Sequence, residues 1–159
     1  MEIRSSDHKV HQQLSKRVEE LLTELKSMDL NSQWQEHLGA DSWVDFFKQA
    51  VHTIDYSPYH CLEGMVACTF SGDHKIYVND SFMQLNSWAQ KSSLLHEAYH
   101  IKDQWQMTHI ACQKAELKNQ LCDQGLFSAY GIELFYLQQI SSTDAILQKE
   151  RELAQKRIN

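Results

Sequence analysis

The chain has 159 residues, of which 42% are hydrophobic and 23% are charged, as in an ordinary folded globular domain. This length fits one domain, which can bury roughly 70% of the surface of the unfolded chain without a metal to hold it together. The formal net charge of -6 argues against non-specific binding to nucleic acid or to an anionic membrane.

Two further features concern location. No apolar run approaches the roughly 18 residues of a membrane-spanning helix, and residues 1–20 are polar and charged, unlike a signal sequence. We therefore expect a soluble protein that is cytoplasmic or is secreted without a cleavable N-terminal signal, for example by delivery into another cell.

The cysteines form no C-x-x-C pair, which disfavours a zinc-ribbon or thioredoxin-like protein. They are Cys61, Cys68, Cys112 and Cys122. Cys112 and Cys122 could pair in an oxidising compartment, but free thiols are the expectation for a chain without a signal peptide.

The first 55 residues are predicted to be helical. Apolar residues between Ser6 and Ser27 recur at spacings of three and four, the pattern of an amphipathic helix. Residues 28–40 form a loop or short helix that is broken at Gly39. A further helix is expected at residues 43–53, capped by Asp41-Ser42, and Pro58 marks the turn that follows it.

A β-hairpin is predicted next. Residues 65–70 and 75–79 are rich in β-branched and aromatic side chains, and the segment between them, Ser71-Gly72-Asp73-His74, is a turn signal. The free edge of this small antiparallel sheet could bind a peptide as an added strand; the alternative is a hairpin that only closes the core.

The most informative segment follows the hairpin. Residues 94–101 read Leu-Leu-His-Glu-Ala-Tyr-His-Ile, an H-E-x-x-H sequence within a helix predicted at residues 85–105. His96 and His100 lie one turn apart on the same helix face, so both imidazoles can bind one metal ion with Glu97 beside them. The helix is expected to be amphipathic, with these histidines on its polar face. An ordinary surface helix with two solvated histidines is the alternative.

Two helices are predicted in the remaining chain. The first covers residues 126–140, where the small residues Ser128, Ala129 and Gly131 would allow the close approach of a neighbour. The second is a charged helix that follows Ser142-Thr143-Asp144 and ends near residue 158. The sequence thus predicts a single α+β domain over residues 1–159, mainly helical, with N-terminal helices at 1–55, a catalytic core at 64–140 and a C-terminal helix at 142–158.

Hydrolytic zinc usually has three protein ligands, and four residues downstream could supply the third. Asp123 is the first candidate and His109 the second, followed by Glu133, with Glu116 as a further carboxylate. If Asp123 and Tyr130 share a helix, their separation of seven residues places them on one face.

The order of several motifs resembles small bacterial proteins of the zincin metallopeptidase superfamily. These motifs are Ile76-Tyr77-Val78-Asn79, the H-E-x-x-H segment, His109-x-x-Cys112, Cys122-Asp123 and Ser128-Ala129-Tyr130-Gly131. The resemblance covers roughly residues 64–140 and implies a zincin-like fold. It also implies that His96 and His100 bind Zn²⁺, that Glu97 is the catalytic base, and that Asp123 and His109 are favoured over Glu116 and Glu133.

The function expected from these residues is a zinc-dependent metallopeptidase of the effector type that hydrolyses peptide bonds of a protein or peptide. Glu97 would act as general base and Tyr130 would stabilise the oxyanion, with His109 next; Tyr130 could instead be a half-buried tyrosine that orients a ligand. A non-catalytic zinc-binding or zincin-derived protein-interaction domain is the alternative, and a metal-free helical domain is a third. The substrate and the oligomeric state are not encoded in these patterns.

Overall fold

The computed structural model describes residues 1–70, 72–102, 109–111 and 121–158, which form an α+β fold of seven helices and six short strands. The helices are α1 (His8–Lys26), α2 (Ser32–Leu38), α3 (Trp43–Ala50), α4 (Asp80–Gln84), α5 (Ser87–Lys102), α6 (Ala129–Gln139) and α7 (Ala145–Lys156). The strands are β1 (Glu2–Arg4), β2 (Thr53–Tyr56), β3 (Ala67–Cys68), β4 (Lys75–Val78), β5 (Ile110–Ala111) and β6 (Leu121–Cys122).

The main sheet has four strands in the order β1-β2-β4-β3. The predicted hairpin is confirmed by the antiparallel pair β3 and β4, but β1 pairs parallel with β2, and β2 pairs parallel with β4. The expectation of a purely antiparallel sheet is therefore wrong, and so is the expectation that the first 55 residues are only helical. Both added strands are three or four residues long, too short to show an alternating pattern in the sequence.

The helix boundaries follow local capping. The side chain of Asp7 accepts hydrogen bonds from the N–H groups of Lys9 and Val10 at the start of α1, and Ser42 caps α3 as predicted. Helix α2 ends at Gly39, whose φ of +59° suits glycine. Asp144 caps α7. These side chains satisfy N–H groups that have no partner within the helix.

Helix α5, which carries the H-E-x-x-H sequence, is central rather than amphipathic. It packs against α1, α3, α6, α7, β3 and β4. Its buried residues therefore include polar side chains as well as apolar ones: Gln90, Lys91, Ser92, His96 and Glu97. The predicted polar face is wrong because neighbouring elements cover the helix on nearly every side. Its predicted continuation to residue 105 lies outside the described residues.

The buried ammonium group of Lys91 ties α5 to α1 and α6. Its Nζ atom lies 2.5 Å from Glu24 Oε1, and the other carboxylate oxygen of Glu24 accepts a hydrogen bond of 2.5 Å from the Tyr136 hydroxyl. The Lys91 ammonium also lies 3.9 Å from the centre of the Trp88 ring. Because Lys91 is 2% exposed, this charge depends on Glu24 for compensation.

The two C-terminal helices are found where they were predicted, although α6 begins at Ala129, so Leu126 and Phe127 lie in the loop before it, 59% and 43% exposed. Gly131 allows the close approach that its small size predicts. A Cβ atom at this position would lie 1.7 Å from the carbonyl oxygen of Leu126, so the loop can cross the start of α6 only over a glycine.

The cysteines differ from the sequence expectation. Cys61 and Cys68 form a disulfide, with their Cα atoms 5.6 Å apart, and Cys122 is also disulfide-bonded. Free thiols are therefore the wrong expectation for these cysteines, because the loop after Pro58 returns to the start of β3 and brings Cys61 to Cys68. Cys112 lies outside the described residues.

No helix among the described residues is long and apolar enough to cross a membrane. The buried apolar side chains of α1 to α7 and of the main sheet form one hydrophobic cluster. The long N-terminal helix contributes Leu14, Val18, Leu21 and Leu25 to that cluster.

We expect Lys91→Ala to lower the free energy of unfolding by about 3 kcal/mol, because Glu24 would keep its partly buried charge without a partner. The exposed pair of Lys16 and Glu20, 3.9 Å apart, supplies the control: Lys16→Ala should change that energy by less than about 1 kcal/mol. Urea unfolding measures both values. Equal effects of the two substitutions would contradict a structural role for Lys91.

Candidate metal centre

Three histidine side chains converge next to α5. The Nε2 atoms of His96 and His100 are 3.0 Å apart, His100 Nε2 is 3.0 Å from His109 Nε2, and His96 Nε2 is 3.1 Å from His109 Nε2. These residues could hold a metal ion, because each offers one ligand atom to a common point.

The first two histidines owe their proximity to the helix, since residues four apart lie on one face. His109 comes from another part of the chain, immediately before β5, which pairs with β6. That pairing places His109 near Asp123, the residue that follows β6. The third histidine is therefore brought to the helix by tertiary structure.

A carboxylate binds the outer nitrogen of two of the three imidazoles. Glu133 Oε1, on α6, lies 2.6 Å from His96 Nδ1, and Asp123 Oδ1 lies 2.5 Å from His109 Nδ1. An ionised carboxylate can only accept hydrogen bonds, so these contacts place a proton on each Nδ1 atom. Such pairs orient metal-binding histidines and raise the basicity of the inner nitrogen.

The tautomers that result favour a cation. With the proton on Nδ1, a neutral imidazole presents a lone pair at Nε2. His96 and His109 would then point two lone pairs at each other across 3.1 Å, which is unfavourable unless a proton or a metal ion lies between them. The three nitrogens therefore form a site that favours a bound cation.

The dimensions suit zinc. The three nitrogens form a triangle with edges of 3.0 to 3.1 Å, whose centre is about 1.8 Å from each nitrogen. A point above the plane of this triangle can therefore lie about 2.0 to 2.1 Å from all three nitrogens, the usual zinc–imidazole distance. Three protein ligands also match hydrolytic zinc sites, which leave a fourth position for water.

The charges around the triad differ between its members. Burial would lower the pKa of His96, but the hydrogen bond and the negative charge of Glu133 outweigh it and raise that pKa. Burial and the neighbouring imidazoles lower the pKa of His100 to about 3, so His100 is neutral at physiological pH. Burial alone would raise the pKa of Asp123, yet hydrogen bonds from His109 and from the Tyr130 N–H lower it, and this carboxylate is ionised.

Glu97 is 9% exposed and lies next to His96 in the chain. Burial raises the pKa of its carboxyl group, while the imidazoles of His96 and His109 act in the opposite direction. A carboxylate with a raised pKa is suited to accept a proton and release it again near neutral pH.

Tyr130 forms one wall of the site. Its ring packs edge-on against His96, with centroids 4.7 Å apart, and lies 5.2 Å from the ring of His109. Burial raises the pKa of Tyr130 to about 12, against the effect of the Arg157 cation, so the phenol keeps its proton and can donate a hydrogen bond at neutral pH.

Tyr99 joins α5 to the loop that precedes α6. The hydroxyl group of Tyr99, inside the H-E-x-x-H sequence, donates a hydrogen bond of 3.0 Å to the carbonyl oxygen of Phe127. It also contacts Nε2 of His37 on α2, and Trp34 packs on Phe127 with ring centroids 4.9 Å apart. These contacts couple the position of α5 to the loop that leads to Tyr130.

The structure separates the four sequence candidates for a third ligand. His109, ranked second, lies in the triad. Asp123, ranked first, binds the outer side of His109 and not the common point of the three Nε2 atoms, and Glu133 does the same for His96. Glu116 lies outside the described residues.

The geometry assumed for Asp123 also needs correction. Asp123 does not share a helix with Tyr130: it precedes α6, and its Oδ2 atom accepts a hydrogen bond of 2.8 Å from the Tyr130 N–H. Sequence spacing alone cannot distinguish a carboxylate that binds a metal ion from one that supports a histidine ligand, since both roles use the same residue types.

No protein family profile, curated protein or solved structure matches this chain. The resemblance to the zincin superfamily therefore stays a prediction from the motif order, and the metal centre rests on its own geometry.

We expect Asp123→Asn and Glu133→Gln each to weaken zinc binding by about 10- to 100-fold, because each removes the charge that orients one imidazole. Asp144→Asn makes the same chemical change at the cap of α7, where asparagine is equally suitable, and should leave zinc affinity unchanged. Competition with a chromophoric chelator measures all three constants. Wild-type affinity in the first two variants would show that the carboxylates do not support the site.

Zinc binding should weaken as the pH falls from 7.5 to 5.5. The raised pKa of His96 means that the metal-free protein takes up a proton there, and this proton competes with the metal; one displaced proton lowers affinity about tenfold per pH unit. The same competition assay, repeated across this pH range, measures the slope. A flat profile would contradict the use of His96 as a ligand.

Proposed function

We propose that the protein is a zinc-dependent metallopeptidase that hydrolyses peptide bonds of a protein or peptide. The observation that carries this proposal is the triangle of three Nε2 atoms, together with Glu97, the residue that follows His96 in the chain. The α+β fold, with the sheet against the histidine-bearing helix, is compatible with a zincin-like arrangement.

The residues fit the chemistry that zinc supplies when bound: a Lewis acid that polarises a carbonyl group and lowers the pKa of a water toward about 7. Three neutral imidazoles leave the ion its full positive charge, while Glu133 and Asp123 compensate that charge from the outer side. The same arrangement would suit other divalent ions that bind imidazole, so the choice of zinc is part of the proposal.

Glu97 is proposed as the general base. Its carboxylate would take a proton from the attacking water and deliver it to the nitrogen of the leaving amine, a role worth roughly 10²- to 10⁴-fold in rate. Its raised pKa supports the first step, because a more basic carboxylate accepts a proton more readily.

Tyr130 is proposed to stabilise the oxyanion. Its phenol is protonated at neutral pH, and its ring touches the imidazoles of both His96 and His109. A hydroxyl donor fixed near the place where negative charge develops lowers the barrier.

The substrate would bind as an extended strand. Strand β3 is at the edge of the sheet, it packs against α5, and its outer side is not paired with any other strand among the described residues. Leu62, Met65 and Phe70, on either side of β3, are 74%, 38% and 50% exposed. Addition of a peptide to this edge would satisfy its backbone groups, and the apolar side chains would favour apolar residues in the substrate.

We expect Glu97→Gln to reduce peptide hydrolysis at least 100-fold while the protein still binds about one zinc per chain, since glutamine keeps the shape but loses the base. The exposed residue Glu19 on α1 provides the matched control, Glu19→Gln, which should retain wild-type activity. A panel of unstructured protein substrates and elemental analysis give the two readouts.

Three outcomes would contradict the proposal in different ways. Zinc binding without hydrolysis, and without any effect of Glu97→Gln, would support the non-catalytic zinc-binding domain. Wild-type protein that stays metal-free after zinc is supplied would sink the peptidase. Hydrolysis that survives both His100→Ala and chelation of metal would point to another active site.

A further inference from the structure

The end of α7 contacts Asp123, the carboxylate that supports His109. Arg157 is held at the helix terminus, where its N–H group bonds the carbonyl oxygens of Leu153 and Ala154. Its own carbonyl oxygen points outward and accepts a hydrogen bond of 2.9 Å from the N–H of Asp123. The last carbonyls of a helix need such donors from outside.

The contact continues at the next residue. Ile158 forms a parallel β-bridge with Asp123 and is 9% exposed, as a member of the hydrophobic cluster. The backbone of Asp123 is therefore fixed by the end of α7, and its side chain is fixed by His109 and by the Tyr130 N–H.

The side chain of Arg157 adds a second contact with the same region. Its Cζ atom lies 4.9 Å from the centre of the Tyr130 ring, within the range of a cation–π interaction. The same ring also contacts His96 and His109. The two residues that follow α7 thus support both Asp123 and Tyr130.

We propose that Arg157 and Ile158 are positioning residues of the metal centre: they hold the backbone of Asp123, which in turn orients the imidazole of His109. This inference rests on the proposed role of the three histidines as ligands. It assigns a role in metal binding to a helix that lies outside the motif region, residues 64–140.

The orientation of His109 depends on the position of Asp123. His109 lies beside β5, outside α5, so its imidazole depends on Asp123 for orientation. A shift of the Asp123 backbone would move Oδ1, which is 2.5 Å from His109 Nδ1, and would turn His109 Nε2 away from the other two nitrogens. His96 and His100 would keep their places, because the helix fixes their separation.

The test compares Ile158→Ala with Leu147→Ala. Both remove buried apolar atoms from the contact of α7 with the core, since Leu147 is fully buried, but only Ile158 forms the bridge with Asp123. We expect Ile158→Ala to weaken zinc binding about tenfold, the lower end of the range for supporting residues. Leu147→Ala should change zinc affinity less than about threefold at a temperature where both variants are folded.

A second readout needs no metal. In the metal-free protein, hydrogen exchange of the Asp123 and Tyr130 amides reports their bonds to Arg157 and Asp123. Ile158→Ala should accelerate both amides about tenfold more than Leu147→Ala does. Ile158→Val, which keeps most of the side chain, should give a smaller shift in the same direction; it decides the question if Ile158→Ala does not fold.

Unchanged exchange and unchanged zinc affinity in the Ile158 variants would overturn the inference. Equal effects of Leu147→Ala would overturn it as well, because the loss would then reflect general loosening of α7. A wild type that binds no zinc would contradict the proposed function, while the amide exchange would still decide whether α7 positions Asp123.

Discussion

The candidate metal centre depends on the repulsion between imidazole lone pairs that the fold brings together. Two carboxylates hold the protons of His96 and His109 on the outer nitrogens, and the fold then places the inner nitrogens 3.1 Å apart. A protein interior tolerates such an arrangement only if a positive charge compensates it. Much of the surrounding structure, from α6 to the end of α7, maintains this geometry by fixing the carboxylates.

The burial of α5 has a second consequence. A helix covered on nearly all sides holds His96 and Glu97 in a region of low polarity, which strengthens every electrostatic interaction there. It also buries Lys91, whose charge must be compensated by Glu24. The burial of α5 therefore makes the fold depend on a small set of ion pairs. Substitutions on this helix are expected to affect both stability and the candidate metal centre.

The support of the site is distributed over distant parts of the chain. Glu133 reaches His96 across 37 residues, and Asp123 reaches His109 across 14. Tyr99 joins α5 to the loop before α6, and Ile158 ties the end of α7 to Asp123. Such supporting groups commonly matter nearly as much as the ligands themselves. A search confined to ligand spacing would miss them.

The local features of this protein follow from residues that are close together in the chain. The spacing of apolar residues and the capping side chains located α1, α3 and α7, and the four-residue separation of His96 and His100 is enough to place both on one helix face. These outcomes follow from short-range geometry, which depends on neighbouring residues in the chain.

Other features of the fold and of the candidate site depend on tertiary contacts. The parallel strands β1 and β2, the disulfide between Cys61 and Cys68, the burial of most of α5, and the meeting of His109 with the helix all depend on tertiary packing. The same holds for the roles of Asp123 and Glu133 as supports of His109 and His96. A carboxylate's chemistry can be read from its residue type, but the atom that it contacts is set by long-range packing, which has no local periodic signature.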